Sequence, residues 1–280
     1  GGNGMSAPRL WDADRDGFAE TAYAGDLHGN LYRFSLIEGR SERLFTAVGN
    51  GAAQPITAAP LVAQNPADGG TWVFFGTGAL LQTQDLADTS LQSWYGLRDR
   101  GQPIAGRIGL KATRILAETD NGRAIEKNDA PGVDGWVLDL QSPGHAPAGE
   151  RMIVASQFRG RVLVGTTRIP DPRDPCAPGG SGYLMAIDPF TGGRLDESFF
   201  DLDGDGMVGG PGDLVDADGT PVPSSGYLVG QGPNGPAFIG DWLGVSLQDG
   251  SNTGVVTRPI GNTVRRVGWR EILWMGSDDK

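Results

Sequence analysis

The 280-residue chain carries a formal net charge of -11, with 34 acidic and 23 basic side chains. This excess of carboxylates disfavours nucleic acid and anionic membranes as partners, because both select clustered Lys and Arg. Cations and basic protein surfaces fit it better. The 46 Gly and 19 Pro, with only 38% hydrophobic residues, predict short strands joined by many turns.

Neither a membrane span nor an export signal is expected from this sequence. It holds no run of about 18 apolar residues and no charged-then-apolar leader, so an exported protein would be represented here by its mature form or a fragment. The single cysteine, Cys176, excludes an internal disulfide and a multi-cysteine metal site. We expect a loop thiol that stays free or pairs outside this chain.

The first element along the chain is an acidic loop at residues 12–20, with four carboxylates on alternate positions around Gly17. Such a loop can wrap a hard cation, and it predicts a calcium site. Because the twelfth position is Tyr23 rather than an acid, this is not a complete EF-hand loop. The alternative is a solvated acidic turn. The candidate ligands are the side chains of Asp12, Asp14, Asp16 and Glu20 and the backbone carbonyl of Phe18.

Alternating apolar and polar residues then predict antiparallel strands throughout the chain. They fall at 20–25, 30–36, 71–76, 111–118, 135–140, 151–156, 161–168, 182–187 and 265–274. Asp-Gly or Asn-Gly pairs predict tight turns at 68–69, 121–122, 134–135, 234–235 and 249–250. A short helical turn is expected at 86–92, with Asp85 or Asp88 as its cap.

Two segments, residues 23–34 and 182–193, are variants of one unit in which a strand leads into a turn with Asp and Gly. Residues 75–78 match part of the same unit. The phrase at 186–192 resembles the blade motif of quinoprotein-like β-propellers. We therefore predict an all-β, modified β-propeller over residues 1–280. At roughly 40 to 50 residues per blade it would hold about four to six blades, so further sequence could complete the ring.

A second acidic loop begins at Asp201, inside a Gly-, Pro- and Asp-rich stretch, 201–235, that we predict to be a long loop or excursion. It repeats the Asp-x-Asp-x-Asp-Gly start but has Gly209 at the ninth position. Asp213 is the expected closing ligand, with Asp216 and Asp218 as weaker choices, and a plain acidic loop as the alternative. The full candidate set is Asp201, Asp203, Asp205, the Met207 carbonyl and Asp213.

Enzyme motifs are absent: there is no Gly-x-Ser-x-Gly elbow, no phosphate-binding Gly-Lys-Ser/Thr and no His-Glu-x-x-His. His28 and His145 lack supporting residues and are expected to be structural or exposed. Six tryptophans are expected to pack between sheets, with carbohydrate stacking as the alternative. They are Trp72, Trp94, Trp136, Trp242, Trp269 and Trp274.

Several phrases together resemble the C-terminal domain of the PilY/PilC family, the tip adhesins and biogenesis factors of bacterial type IV pili. They are the first acidic loop with the strand that follows it, then residues 73–78, 135–140, 172–176 and 182–188, the second acidic loop, and 267–272.

The resemblance implies a non-enzymatic calcium-binding propeller at the fimbrium or cell surface, with a periplasmic or outer-membrane pool. It implies roles in pilus biogenesis, twitching motility, adhesion and virulence. Minor pilins of the tip complex and a host-cell or surface receptor are the implied partners. Calcium in the first loop would oppose pilus retraction. Glu20 stands where the family commonly has aspartate, and the family's long N-terminal region is absent from this sequence.

The sequence leaves two other classes of protein open. A dehydrogenase that uses pyrroloquinoline quinone is also a calcium-containing propeller, but it has many regular blade repeats, and only two or three degenerate ones are found here. A carbohydrate- or receptor-binding surface propeller is the other alternative.

Overall fold

The structure, a computed structural model, describes residues 2–171 and 179–259. In this part the protein is all-β with two short 3-10 segments, Thr83–Ala87 and Pro211–Asp213, which confirms the predicted fold class. Some predictions lie outside the described residues: the setting of Cys176, the strand at 265–274 with Trp269 and Trp274, and the family-like phrases at 172–176 and 267–272.

The first sheet is a simple antiparallel meander. Its four strands, in spatial and chain order, are β1 (Arg9–Trp11), β2 (Thr21–Gly25), β3 (Asn30–Ser35) and β4 (Arg40–Thr46). A small hairpin follows, formed by β5 (Val48–Gly49) and β6 (Ala52–Ala53).

The second sheet has five strands. They are β7 (Leu61–Gln64), β8 (Thr71–Gly76), β9 (Ser93–Asp99), β10 (Leu110–Thr113) and β13 (Gly135–Asp139). Their spatial order is β10-β13-β9-β8-β7, and β10 pairs with β13 in parallel. The prediction of antiparallel pairing throughout is therefore wrong at this pair.

The third sheet has seven strands, with the spatial order β11-β12-β20-β17-β15-β14 and β16 added beside β17. Their bounds are β11 (Ile115–Glu118), β12 (Gly122–Ile125), β14 (Gln157–Arg159), β15 (Val162–Thr166), β16 (Ile169–Pro170), β17 (Gly180–Ile187) and β20 (Gly226–Gly230).

The remaining strands form two smaller antiparallel sheets. One is the hairpin of β18 (Leu214–Ala217) and β19 (Thr220–Pro223); the other is a meander of β21 (Pro233–Ile239), β22 (Trp242–Leu247) and β23 (Asn252–Val256).

The large sheets stack face to face, and successive residues of a strand pack into different layers. In β8, Val73 and Phe75 join the core beneath the first sheet, whereas Trp72 and Phe74 join the core shared with the third sheet. Because side chains alternate across a strand, a strand buried on both faces is apolar at every position. In β17, Tyr183 and Met185 likewise face the second sheet, while Leu184 and Ala186 face the last meander.

The tryptophan prediction is confirmed for the three tryptophans of the second sheet. Trp72, Trp94 and Trp136 are at most 1% exposed and pack among Phe74, Leu163 and other residues of the core that the second sheet shares with the third. Trp242 is 43% exposed and departs from the prediction.

Two of the predicted strands differ in the structure: one is divided into two strands, and the other does not form. The segment 111–118 breaks at Arg114, where the carboxylate of Glu126 binds both the backbone amide and the guanidinium, and its halves enter different sheets. The segment 151–156 makes only an isolated bridge, at Arg151. The buried Arg151 guanidinium donates instead to loop carbonyls, among them those of Ala79, Asp85 and Gly149, so local patterning does not produce a ladder there.

The helical turn exists but is displaced from 86–92 to Thr83–Ala87, and its N-cap residue is Gln82 rather than Asp85 or Asp88. Of the five predicted turn pairs, 68–69 and 249–250 lie between paired strands, and Asn121-Gly122 ends the β11–β12 turn, with Gly122 as the first residue of β12. Asp134-Gly135 instead begins β13, and Asn234-Gly235 lies at a register shift inside β21.

The prediction that 201–235 is one long loop is wrong over its second half. That half contains the β18–β19 hairpin and β20, and β20 pairs with both β12 and β17 inside the third sheet. Each of these strands is only four or five residues long, and β19 and β20 begin or end at Gly or Pro, so the composition of the stretch conceals them. Only residues 201–213 form an acidic loop.

No helix in the described part of the chain is both long and apolar enough to serve as a membrane span.

Candidate metal-binding loops

The first acidic loop is the hairpin connection between β1 and β2. Trp11 pairs with Thr21, and the amide of Glu20 donates to the Trp11 carbonyl at 3.1 Å, so the ladder fixes both ends of the loop. The flanking elements are strands, whereas an EF-hand loop lies between helices.

Inside this loop, aspartate side chains accept hydrogen bonds from backbone amides further along the chain. The two oxygens of Asp12 accept from Arg15 and Gly17, at 2.6 and 2.9 Å. Asp14 accepts from the amide of Asp16 at 3.1 Å, and Asp16 accepts from the amide of Phe18 at 2.8 Å. The turn also needs left-handed backbone at two positions, with φ of +64° at Arg15 and +100° at Gly17.

These bonds bring together all four predicted side-chain ligands of the loop. One carboxylate oxygen from each lies within 4.8 Å of the others, and the set is Asp12, Asp14, Asp16 and Glu20. Glu20 also accepts from the Ala13 amide at 2.8 Å, so it closes the loop onto its own start. The Phe18 side chain is 77% exposed, and ligation by its carbonyl stays a prediction.

The second acidic loop has a different setting. Phe200 bridges to Thr257, and the Asp201 amide donates to the Val256 carbonyl at 3.0 Å, so the loop leaves from beside β23. It ends at the 3-10 segment Pro211–Asp213, directly before β18.

Despite this, the hydrogen bonds of the second loop repeat those of the first at the same sequence offsets. Asp201 accepts from the amides of Gly204 and Gly206 at 2.7 and 2.9 Å, three and five residues ahead. Asp203 accepts from the amide two residues on, and Asp205 from Met207 at 2.7 Å. Carboxylate oxygens of Asp201, Asp203 and Asp205 lie within 4.8 Å of one another.

Asp213 closes the second loop in a different way from Glu20. It is 1% exposed, and its carboxylate accepts from the amides of Leu202, Gly209 and Gly210, the first two at 2.7 and 2.6 Å. It is not part of the group of three clustered carboxylates. The weaker alternatives, Asp216 and Asp218, belong to the β18–β19 hairpin, where Asp216 accepts from Gly219.

The arrangement can hold a metal ion through oxygen atoms. Carboxylates without nitrogen or sulfur donors suit hard cations such as Ca²⁺, Mg²⁺ or Mn²⁺. Both histidines are exposed and stand apart from the two clusters: the His28 amide donates to Asp26, and the His145 ring nitrogen contacts the Pro143 carbonyl.

The two blade-like units share a turn organised by an aspartate. Asp26 accepts from the amides of His28 and Asn30, while Asp188 accepts from the amides of Phe190 and Thr191. Burial alone would raise the pKa of Asp26, but hydrogen bonds, including those from Asn3 and Asn30, hold it below its usual value.

Sequence reasoning found the acids of both loops but missed Arg15 and Gly204, which take the same left-handed conformation at the fourth position of each loop. The signal in the sequence was only partial, since glycine marks this position in one loop and not in the other.

The stacked sheets and the two carboxylate loops define a β-propeller domain that carries candidate cation sites. Residues 1–44 match the family model for the PilY1 beta-propeller domain. Over 92% of its length the chain superposes on the crystal structure of the Pseudomonas aeruginosa PilY1 C-terminal domain, with a TM-score of 0.75 and 27% identity; it covers 62% of that chain.

Two longer relatives support the same family. The chain is 45% identical over 278 residues to the type IV pilus biogenesis factor PilY1 homolog of Xylella fastidiosa, which is 97% of this chain and 22% of the relative. It is 34% identical over 258 residues to PilY1 of P. aeruginosa PAO1, which is 74% of this chain and 22% of the relative. The chain belongs to the PilY1 family and spans about a fifth of these relatives.

Proposed function

We propose that this domain is the calcium-binding propeller of a type IV pilus biogenesis factor. The names of its relatives support the pilus role, and both relatives are described as type IV pilus biogenesis factors. On this proposal the protein acts at the fimbrium and cell envelope. There it contributes to pilus assembly, to control of extension, retraction and twitching, and to adhesion.

The observation that carries the calcium proposal is the repetition of one hydrogen-bond scaffold in two unrelated settings. In each loop the first Asp accepts from amides three and five residues ahead, and the next two Asp residues each accept from an amide two residues ahead. These hydrogen bonds bring the carboxylates of each loop close together, and a bound cation would offset their mutual repulsion.

Calcium is favoured over other cations by the donor chemistry and by the form of the loops. All clustered donors are carboxylate oxygens on short loops, which suits the flexible coordination of Ca²⁺ better than the strict octahedron of Mg²⁺. Asp12, Asp14, Asp16 and Glu20 would hold the ion in the first loop, together with the Phe18 carbonyl. Asp201, Asp203 and Asp205 would do so in the second, with the Met207 carbonyl, and Asp213 would support the loop from behind.

Calcium in the first loop would act as a clamp on the β1–β2 hairpin. Because Glu20 immediately precedes β2, an ion bound between Glu20 and Asp12 would order the start of that strand. We propose that this ordering favours extended pili and that loss of the ion permits retraction.

The proposed role is non-enzymatic, since the named relatives are pilus biogenesis factors rather than enzymes. The partners would be minor pilins and the rest of the tip complex, with basic surfaces preferred because the chain is strongly acidic.

Calorimetric titration with calcium tests the proposal directly. We expect uptake at both loops, loss of one site in Asp16→Asn and loss of the other in Asp205→Asn. The control is Asp249→Asn, because Asp249 lies in an ordinary turn, where it accepts from Ser251, and should leave both sites unchanged. No calcium uptake by the unmodified domain would contradict the proposal. In bacteria, unchanged twitching in the full-length Asp16→Asn protein would contradict its motility part.

A further inference from the structure

A polar cavity of about 720 Å³ lies between one face of the first sheet and one end of the second. Its volume is within the range of roughly 300–1,000 Å³ typical of small-molecule sites. The second sheet contributes Thr71 of β8 and Asp99 of β9, which are register partners.

Strand register explains why the first sheet presents polar groups here. Trp11, Thr21, Ser35 and Arg40 stand opposite one another across the four strands and form one row. The next row on the same face contains Tyr23, Arg33 and Glu42, which stand opposite one another on β2, β3 and β4. Further along this face the residues become apolar, with Leu31 and Leu44 packing into the core beneath the first sheet.

The floor of the cavity is a rigid hydrogen-bonded network. The carboxylate of Asp99, whose side chain is 5% exposed, accepts from the Tyr23 hydroxyl, the Arg33 guanidinium and the Gly101 amide, each at 2.7 Å. Burial first, and then the charge of Asp99, raise the pKa of Tyr23, so its hydroxyl stays a donor at neutral pH.

The charges around this cavity are already paired. Arg33 binds Asp99 and also Glu42, the latter at 2.5 Å, and Arg40 binds Glu38. A charged ligand would therefore compete with partners already in place, whereas a neutral ligand would leave these ion pairs intact.

Hydroxyl groups supply the remaining hydrogen-bonding capacity. Ser35 accepts from the Glu38 amide, whereas the hydroxyls of Thr21, Ser41 and Thr71 make no hydrogen bond with other described residues. The partly buried Trp11 adds an aromatic side chain to the wall. Paired charges, unused hydroxyls and an aromatic wall suit a ligand that is uncharged and rich in hydroxyl groups.

We propose that this cavity binds a neutral pyranose unit of a saccharide. The fixed Tyr23–Asp99–Arg33 network shapes the floor, the hydroxyls exchange hydrogen bonds with the sugar, and Trp11 packs against its ring. The cavity adjoins the first cation loop, because Trp11, Ala13 and Thr21 line it. Since the two ligands differ, calcium titration without saccharide and saccharide binding at saturating calcium test the two proposals separately.

Saturation-transfer NMR with the methyl glycosides of glucose, galactose and mannose tests the proposal, with glucuronic acid and glucosamine as charged probes. We expect at least one neutral glycoside to bind, with a Kd of about 1 mM, and the charged sugars to bind more weakly. If none of the three neutral glycosides binds, or if a charged sugar binds more tightly, the proposal is overturned.

Two variants of Thr71 test whether the saccharide binds in this cavity. Thr71→Trp would fill it and should weaken binding by at least about tenfold. Thr71→Val keeps the volume, removes the hydroxyl and should weaken binding by about threefold, which keeps the test valid if the Trp variant does not fold. Thr220→Trp, on the exposed β18–β19 hairpin, is the matched control and should bind as the unmodified domain does. Unchanged binding in both Thr71 variants would overturn the assignment.

Discussion

The two acidic loops have the same internal hydrogen bonds but very different surroundings. The first connects two paired strands, and Asp14 and Asp16 are exposed. The second begins at Asp201, which is 4% exposed, and is closed by Asp213, which is 1% exposed. In the first loop the closing acid belongs to the carboxylate cluster, whereas in the second loop Asp213 does not belong to it.

This difference separates two contributions to a cation loop. The aspartates and the left-handed residues are local in sequence, so the same bonds form wherever the pattern occurs. The closing acid depends on the surroundings of the loop. A hairpin returns Glu20 to the loop start without further support, whereas the second loop needs a buried carboxylate to hold three backbone amides.

The largest expected difference between the loops is in stability without calcium. Asp213→Ala would remove a buried carboxylate and leave three amides without their acceptor, one of them in a buried bond and two in part-buried bonds, and we expect a loss of about 3 kcal/mol in the free energy of unfolding. Glu20→Ala removes one hydrogen bond and relieves repulsion within its cluster, so we expect a loss of about 1 kcal/mol or less.

Denaturant unfolding in the presence of a chelator measures both losses. Asp249→Ala is the control for removing an exposed turn carboxylate. Equal losses in the Asp213 and Glu20 variants would show that the two closing acids play the same structural part.

A smaller difference is expected in calcium affinity. The first loop clusters four carboxylates and the second three, so we expect the first to bind calcium about tenfold more tightly. Titration of Asp205→Asn reports the first loop alone, and titration of Asp16→Asn reports the second. Tighter binding by the second loop would indicate that the buried position of Asp201 outweighs the additional carboxylate.

The loops also show what could be predicted from the sequence and what could not. The spacing of Asp12, Asp14 and Asp16 was enough to predict that their carboxylates converge, because every bond that brings them together spans five residues or fewer. The exclusion of Asp213 from the carboxylate cluster could not be predicted, because its position depends on the 3-10 segment and on its bonds to the Leu202, Gly209 and Gly210 amides.

The same distinction holds for the fold. Strands such as β8 and β17 were predicted correctly because short segments rich in aromatic and aliphatic residues between turns favour strands. The structure shows that they are apolar on both faces rather than alternating, because both faces are buried. β20 was missed because its pairing with β12 and β17 is a long-range contact that a short, Gly-bounded segment does not reveal. The break at Arg114 depends on Glu126, twelve residues away.

The smallest expected difference concerns the fourth position of each loop. Arg15 has φ of +64° in the first loop and Gly204 has +77° in the second, so an L side chain adopts an unfavourable backbone conformation only in the first. Arg15→Gly should raise the free energy of unfolding by about 0.5 kcal/mol, after allowance for the greater freedom of glycine in the unfolded chain. The matching change in the second loop, Gly204→Ala, should lower the free energy of unfolding by about 1 kcal/mol, although a Cβ there meets no atom within 4 Å.

Because space is available at Gly204, a loss of stability in this variant would report backbone strain alone. Stability unchanged in both variants would mean that the aspartate bonds, rather than backbone preference, determine the conformation at this position in both loops.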